Sequence, residues 1–203
     1  MTNTLYHDDL PDGLDLGKSV AIDTETLGLN LTRDRLCVVQ LSSGDGHAHL
    51  VQIKADQADC PNLKALIRDE SIEKLFHFGR FDIAQLQKLA GEMRGPVFCT
   101  KIASKLVRTY TDRHGLAELC RELLSVELSK QQQSSDWGRD TLTQQQIDYA
   151  ASDVLYLHRL KDELLSRLER EGRRGDAEAC FAYLPHRAKL DLAGFDAVDI
   201  FHH

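Results

Sequence analysis

A chain of 203 residues with 42% apolar residues is long enough to form one compact α/β domain with a complete hydrophobic core. Its 32 acidic and 25 basic residues give a formal net charge of −7, which argues against bulk electrostatic binding of long nucleic acid. Any contact with nucleic acid must therefore depend on local positive charge or on bound metal ions, and the substrate would be short or held in a confined channel.

The cysteines and the N-terminus bear on the location of the protein. Five cysteines without a CxxC pair argue against a disulfide framework or a zinc knuckle and favour a reducing cytosol. The first residues lack the basic and apolar regions of a signal peptide, and no apolar run approaches the roughly 20 residues that span a bilayer. We therefore expect a cytoplasmic protein without membrane contact.

The first part of the chain has the pattern of an antiparallel meander. Residues 18–26, 35–42 and 47–53 are predicted as strands, and residues 43–46 carry a hairpin signal. Strands that are joined so tightly are antiparallel. The sheet is therefore expected to begin with about three strands of this kind.

The pattern then changes to alternating helices and strands. Helices are predicted at 62–69, 80–90 and 100–109, and strands at 73–78 and 96–99. A strand followed by a helix and another strand indicates a parallel crossover. The expected fold class is therefore α/β, with a mixed sheet of antiparallel meander and parallel strands flanked by helices.

The second half of the chain is expected to be helical. A helix at 114–124 precedes a polar, irregular stretch at 127–142. Thr143, with Gln146 three residues later, has the pattern of a capping box and predicts one long helix from about 144 to 170.

The C-terminal part completes the expected domain organisation. A helical segment at about 176–193 is expected to pack on the domain or on a neighbouring subunit. Because no linker or repeat divides the chain, we predict a single domain over residues 1–203 with its core at about 18–165.

Asp23 and Glu25 form the first candidate site. Residues i and i+2 of a strand project to the same face, so these two carboxylates point together at the end of a predicted strand. Hard divalent cations such as Mg²⁺ and Mn²⁺ prefer oxygen ligands of this kind. Taken alone, the pair is more simply a polar strand end.

Two further acids lie on predicted helices. Asp82 begins the helix after strand 73–78, where the helix dipole favours an acid in any case. Asp153 lies four residues after Tyr149, so both share one helix face. Alone, each is more simply a helix-start acid or a surface acid beside a half-buried tyrosine.

Together, the four acids have the donor set for two divalent ions. Such a pair of ions stabilises the entering and leaving oxygens of a phosphodiester displacement, and one ion makes hydroxide from water. Tyrosine, with a pKa near 10, is a poor base at neutral pH. Tyr149 is therefore expected to orient the attacking water by hydrogen bonding.

The order of these motifs resembles a known superfamily. DTE at 23–25, HFGRFD at 77–82 and YAASD at 149–153 resemble the three exonuclease motifs of the DEDD superfamily. The tyrosine four residues before the last acid resembles the DEDDy branch, and FCTKIASKL, HGLAELCRELL and SDWGRD resemble ribonuclease D. The resemblance implies a ribonuclease H-like fold and 3′-5′ exonuclease activity with two Mg²⁺ or Mn²⁺ ions per site.

The chain also differs from ribonuclease D. It stops at residue 203, without the helical nucleic-acid-binding domains that follow the catalytic domain in that family. The segments DTETLGL and RDRLCVVQLSSGDG resemble the compact NanoRNase C enzymes. This resemblance implies an exoribonuclease that degrades small RNA, prefers dinucleotides and assembles as a ring-like homo-octamer.

The resemblance also suggests residues that contact substrate. Leu29 resembles the leucine that wedges between terminal bases, and Thr26 the residue whose backbone meets the terminal sugar. His77 and Phe81 are candidates for lining the nucleotide pocket. The alternatives are a core leucine, a strand-end histidine and, as the favoured interpretation for Phe81, a core phenylalanine. Where many relatives have Asn after the histidine, this chain has Phe78.

Two other groups have open roles. Trp137 lies in the polar loop with Gln131, Gln132, Gln133 and Ser135, where it can stack on a base or, as we favour, anchor the loop to the core. A basic cluster of Lys101, Lys105, Arg108 and Arg113 can contact phosphate, but a solvated charged face is the simpler interpretation.

Two alternatives to the short-RNA enzyme remain. One is a broader 3′-5′ exonuclease that acts on longer RNA or on DNA ends. The other is a non-catalytic nucleic-acid-binding module, which the complete set of acids and the tyrosine argue against.

Overall fold

A mixed six-stranded sheet organises the chain. The computed structural model describes residues 2–54, 59–129, 132 and 134–202. The strands are β1 (Thr2–His7), β2 (Ser19–Thr26), β3 (Leu36–Ser42), β4 (His47–Gln52), β5 (Glu73–Phe76) and β6 (Val97–Cys99). The helices are α1 (Pro61–Arg68), α2 (Arg80–Ala90), α3 (Thr100–Val107), α4 (Leu116–Leu124), α5 (Gln144–Leu155), α6 (Leu157–Arg170) and α7 (Arg174–Leu190).

The strand order confirms the predicted mixture of directions. The order across the sheet is β1-β4-β3-β2-β5-β6. β2, β3 and β4 pair antiparallel, as expected for the meander, whereas β5 pairs parallel with β2, and β6 with β5. The parallel crossover through α2 joins β5 to β6, and because β5 pairs with β2, β2 lies near the centre of the sheet.

Strand β1 is an element that the sequence analysis missed. It pairs parallel with β4 at the edge of the sheet. Its sequence, TNTLYH, has two apolar residues, Leu5 and Tyr6, that pack only partly against the core. Hydrogen bonding to β4 makes this segment a strand, and the apolar pattern alone does not indicate that pairing.

The predicted long helix at 144–170 is divided in two. The capping box at its start is present, with Thr143 Oγ1 accepting from the Gln146 amide at 3.2 Å and Gln146 Oε1 accepting from the Thr143 amide at 3.0 Å. The division falls at Tyr156, whose φ of −109° and ψ of −3° depart from the values of a regular α-helix. α5 packs against strands β1 to β4, whereas α6 packs mainly against helices α3 and α4. The two parts of the predicted helix therefore pack on different layers of the fold, one on the sheet and one on helices.

The C-terminal segment is helical, as predicted, over α7 and a π-helical turn at Asp191–Phe195. Arg80 of α2 donates to Asp191 from Nε at 2.5 Å and from Nη2 at 2.7 Å. Asp191 is buried, and Arg187 contacts it as well at 3.1 Å. These ion pairs fix the end of the chain to the start of α2.

Nowhere in the described ranges does a helix combine the length and apolar character needed to cross a membrane.

Two expectations about the second half are resolved by burial. Trp137 is only 3% exposed, so it anchors the loop to the core, as favoured, and it is not an open surface for a base. Gln131 and Gln133 lie outside the described residues. Arg108 does not share an exposed basic face, because it is 1% exposed and paired with Glu122, to which Nε donates at 3.2 Å. A buried guanidinium needs such a partner, so for Arg108 both the favoured solvated face and the alternative of phosphate contact are wrong.

Candidate active site

Three acids converge at the C-terminal end of β2. Asp23 and Glu25 project from the strand, where its register with β3 shifts between Glu25 and Thr26. Asp153 reaches the same place from α5, which packs on β2. One carboxylate oxygen of each lies within 4.8 Å of the others. The structure thus brings together the strand pair and the helix acid that the sequence placed more than a hundred residues apart.

Asp82 approaches this group from the first turn of α2. Its side chain is buried, and its Oδ1 accepts a 2.6 Å hydrogen bond from Thr24 Oγ1. Asp82 is not one of the three acids within 4.8 Å, but its charge raises the pKa of Asp23, Glu25 and Asp153. The fourth acid therefore lies beside the other three, with one oxygen bonded to Thr24.

The pKa values of all four acids are raised. Burial is the largest cause in each case, and the neighbouring carboxylates add to it for Asp23, Glu25 and Asp153. The pKa reaches about 9 for Glu25, about 7 for Asp153 and about 6 for Asp82, and that of Asp23 is raised well above its usual value. The ion pairs formed by the described residues include none of these four acids.

A group of partly buried carboxylates that form no ion pair among the described residues fits divalent cations. Its donors are oxygen atoms alone, which Mg²⁺ and Mn²⁺ prefer over softer ligands. The mutual repulsion that raises the pKa values would be relieved by a cation placed among the oxygens. The donor chemistry therefore fits the hard divalent ions that the sequence analysis expected.

Tyr149 lies one helical turn from Asp153 on α5. Its hydroxyl lies close enough to the Asp153 carboxylate for each group to shift the pKa of the other. Burial, followed by the charges of Asp153, Glu25 and Asp23, raises the pKa of Tyr149 above its usual value. The phenol is therefore protonated at neutral pH and can donate a hydrogen bond, but it cannot serve as a base. The buried Trp137 ring packs beside it, with the ring centroids 6.1 Å apart.

A cavity of about 570 Å³ lies next to the motif residues. Leu29 lines it and is 85% exposed, so the alternative of a core leucine is wrong. Phe81 also lines it and is half-buried, whereas the sequence analysis favoured a core phenylalanine. Arg80 and Asp191 form part of the opposite wall. The C-terminal turn and the loop after β2 therefore bound the same cavity.

Thr26 and His77 have clear structural partners. Thr26 Oγ1 donates to the Gly28 carbonyl at 2.6 Å and shapes the turn that leads to Leu29. His77 Nδ1 lies 2.9 Å from Thr100 Oγ1. Burial, together with the positive charges of Lys101 and His114, lowers the pKa of His77 to about 3. The imidazole is therefore neutral near the acids at physiological pH.

The sequence analysis missed two residues of this site. Thr24, between the two strand acids, holds Asp82 through its hydroxyl. Gln40 of β3 lies directly opposite Asp23 in the sheet, is fully buried, and finds no side-chain hydrogen-bond partner within the part of the chain that the structure describes. The cross-strand register identifies Gln40, and that register follows only from the paired strands.

Comparisons with known proteins agree with this geometry. A family model described as a 3′-5′ exonuclease matches residues 9–169. Ribonuclease D of Granulibacter bethesdensis is 36% identical over 154 residues, which are 76% of this chain and 38% of that protein. The chain thus spans well under half the length of this relative.

Two solved structures are similar over the whole chain. Brucella melitensis NrnC with bound Mg²⁺ has a TM-score of 0.95 and 59% identity, and covers 100% of both chains. Brucella melitensis NrnC bound to pGG has a TM-score of 0.97 and 61% identity, and covers 100% of this chain and 99% of that one. Together with the family model, these similarities show that the chain belongs to the 3′-5′ exonuclease family, in the group that contains NrnC and ribonuclease D.

Proposed function

We propose that this chain is a metal-dependent 3′-5′ exoribonuclease that releases nucleoside 5′-monophosphates from very short RNA. The observation that carries the proposal is the cluster of three partly buried carboxylates at the end of β2, with the buried Asp82 and a protonated tyrosine beside it. Membership of the exonuclease family supports the reaction class.

Asp23, Glu25, Asp82 and Asp153 are the residues that would hold two Mg²⁺ or Mn²⁺ ions. The Mg²⁺ bound in the structure of Brucella NrnC supports a divalent metal in this chain. When bound, such ions supply Lewis-acid stabilisation and generate hydroxide from water. Thr24 holds Asp82 in place, so that its carboxylate faces the other three.

Tyr149 is proposed to orient the attacking water. Its hydroxyl stays protonated, so it can donate to the water or to Asp153 but does not remove a proton. Water adds to the phosphorus of the terminal phosphodiester, and the bond from phosphorus to the 3′ oxygen of the preceding nucleotide breaks. The released nucleotide keeps its 5′-phosphate, and the remaining RNA ends in a 3′-hydroxyl.

The preference for short RNA rests on similarity and charge. Brucella NrnC was solved bound to pGG, a dinucleotide, and matches this chain throughout its length. The net charge of −7 is compatible with a substrate that carries few phosphates. Leu29, Thr26, His77 and Phe81 are proposed to contact this substrate, since Leu29 and Phe81 line the cavity beside the acids. A broader exonuclease on longer RNA or DNA ends is the second candidate.

Three further features belong to the same proposal. The five cysteines are unpaired, which supports a reducing, cytoplasmic location. Exposed Phe195, Val198, Ile200 and Phe201 support a homo-oligomer, which the resemblance puts at eight subunits. Residues 1–203 are proposed to act as a single exonuclease domain.

A substrate-length series tests this proposal. The purified protein would be given 5′-labelled dinucleotides, 7-mers and duplex DNA with either Mg²⁺ or Mn²⁺. We expect the fastest release of nucleoside 5′-monophosphate from the dinucleotide and no release by Asp23→Asn. Absence of cleavage with both metals would refute the enzyme, and equal rates on all three substrates would favour the broader exonuclease.

A further inference from the structure

Phe78, between β5 and α2, has an unusual backbone conformation. Its φ is +63°, in the left-handed region that L side chains rarely adopt and that Asn or Gly tolerate better than a bulky aromatic residue. The turn around it is tight, because a Cβ on Gly79 would lie 2.4 Å from the Cβ of Phe76. Strained positions of this kind cluster at functional sites.

Burial in the core does not explain the choice of phenylalanine. Phe78 is 52% exposed and lines the 570 Å³ cavity together with Leu29 and the half-buried Phe81. A large apolar side chain that is half in water gains little from the hydrophobic effect. The strained conformation is therefore not compensated by packing within this chain.

The ring of Phe78 carries a cation on one face. Lys101 Nζ, from α3, lies 3.5 Å from the ring centroid, a distance typical of a cation–π contact. Lys101 is not among the residues that line the cavity, whereas Phe78 is, so the rest of the ring surface is available on the cavity side. Within the described residues, no salt bridge includes Lys101.

The cavity is connected to both motif segments that carry the acids. The loop from Leu29 to Thr32 follows Glu25, and the turn from Phe78 to Phe81 leads into Asp82. A substrate held at the acids would therefore pass between these two walls. An aromatic face next to a positive charge is the combination with which proteins bind single-stranded nucleic acid.

We propose that Phe78 is a stacking platform for one nucleobase of the substrate, held in position by Lys101 on its opposite face. This inference rests on the proposed function and specifies a residue that sets the affinity for short RNA. Because every base has a π-face, the platform requires a base without selecting its identity.

Binding of pGG tests the proposal separately from catalysis. The dissociation constant would be measured by calorimetry with Ca²⁺ in place of Mg²⁺ for the wild type, Phe78→Asn and Phe78→Trp. Phe78→Asn should weaken binding about ten-fold, which corresponds to about 1.4 kcal/mol and lies within the range for one stacked base. It should melt no lower than the wild type, because Asn tolerates a positive φ. Phe78→Trp should keep the affinity.

Abasic analogues make the test independent of stability. The wild type should bind pGG more weakly when one of its two bases is removed. Phe78→Asn should bind that same abasic analogue as tightly as it binds pGG. As a matched control, Tyr110→Asn replaces another exposed aromatic, which does not line the cavity, and should leave the dissociation constant unchanged.

Several results would overturn the proposal. Failure of the wild type to bind pGG, or equal losses on the abasic analogues in the wild type and Phe78→Asn, would exclude stacking. An unchanged affinity together with an altered oligomeric mass would assign Phe78 to a contact with another protein chain. A wild type that binds pGG but does not hydrolyse it with Mg²⁺ or Mn²⁺ would refute the proposed function alone.

Discussion

Replacing Asp153 by Asn should make the metal-free protein more stable at pH 8. Asp153 has its pKa raised from 3.8 to about 7, mainly by burial and by Asp82. A carboxyl whose pKa is higher in the folded than in the unfolded chain opposes folding increasingly as the pH rises above the unfolded pKa, and this cost is complete above the folded pKa. Three pKa units correspond to a loss of about 4 kcal/mol in the free energy of unfolding, which is an upper limit. Relaxation of the protein and entry of water around the carboxylate reduce this loss to ~1–2 kcal/mol.

The effect is measurable by thermal melting in EDTA. For a protein of this length, ~1–2 kcal/mol raises Tm by about 3–6 °C. The amide of the variant has the same shape as the carboxyl, so packing beside Tyr149 is preserved. At pH 4 the wild-type carboxyl is protonated, and the difference should disappear. With Mg²⁺ the order should reverse, because only the wild type keeps the full ligand set.

A matched control comes from the same helix. Asp148 is exposed on α5 and accepts from Asn3 and Gln144, contacts that Asp148→Asn preserves. This variant should change stability by less than about 0.5 kcal/mol. If Asp153→Asn melted below the wild type in EDTA at pH 8, the conclusion that burial and the neighbouring acids raise the pKa of Asp153 would be wrong.

Three other predictions concern the same site. Metal-free wild-type protein should lose stability steadily as the pH rises from about 4 to beyond 9, because the pKa of Glu25 is about 9, and calorimetry that shows a flat profile would contradict this. In dinucleotide assays, Tyr149→Phe should lower kcat by about ten-fold and Asp23→Asn by more than about a thousand-fold. Equal losses in the two variants would count against an orienting role for Tyr149. Gln40→Met should stabilise the metal-free protein by about 1 kcal/mol, seen as a higher Tm, because it replaces a buried amide that has no partner among the described residues with an apolar side chain. A lower Tm would reveal a hydrogen bond to Gln40.

The sequence predicted the elements that have strong apolar patterns. The meander, the crossover and the capping box at Thr143 depend on local patterns, and the structure confirms them. Strand β1 was missed because its identity depends on pairing with β4, and the division at Tyr156 was missed because it follows from packing on two layers. Local periodicity contains neither kind of information.

The candidate site was predictable only where the residues themselves form sequence motifs. The order of the motifs along the chain predicted that the four acids and Tyr149 lie together, as the structure shows, although each motif alone was ambiguous. Thr24 and Gln40 were not found, since their contributions depend on a hydrogen bond between elements and on cross-strand register. The exposure of Leu29, which excludes a core role, depends on the loop conformation and not on residue type.

The assembly of the acids from distant parts of the chain has a consequence for folding kinetics. Asp23 and Asp153 meet only after α5 has docked on the completed sheet, so their repulsion is small in any state that precedes docking. Interactions absent from the transition state act on the unfolding rate and leave the folding rate nearly unchanged. Divalent ions should therefore lengthen the lifetime of the native protein without speeding its formation, and the supply of free cation would control how long each molecule survives.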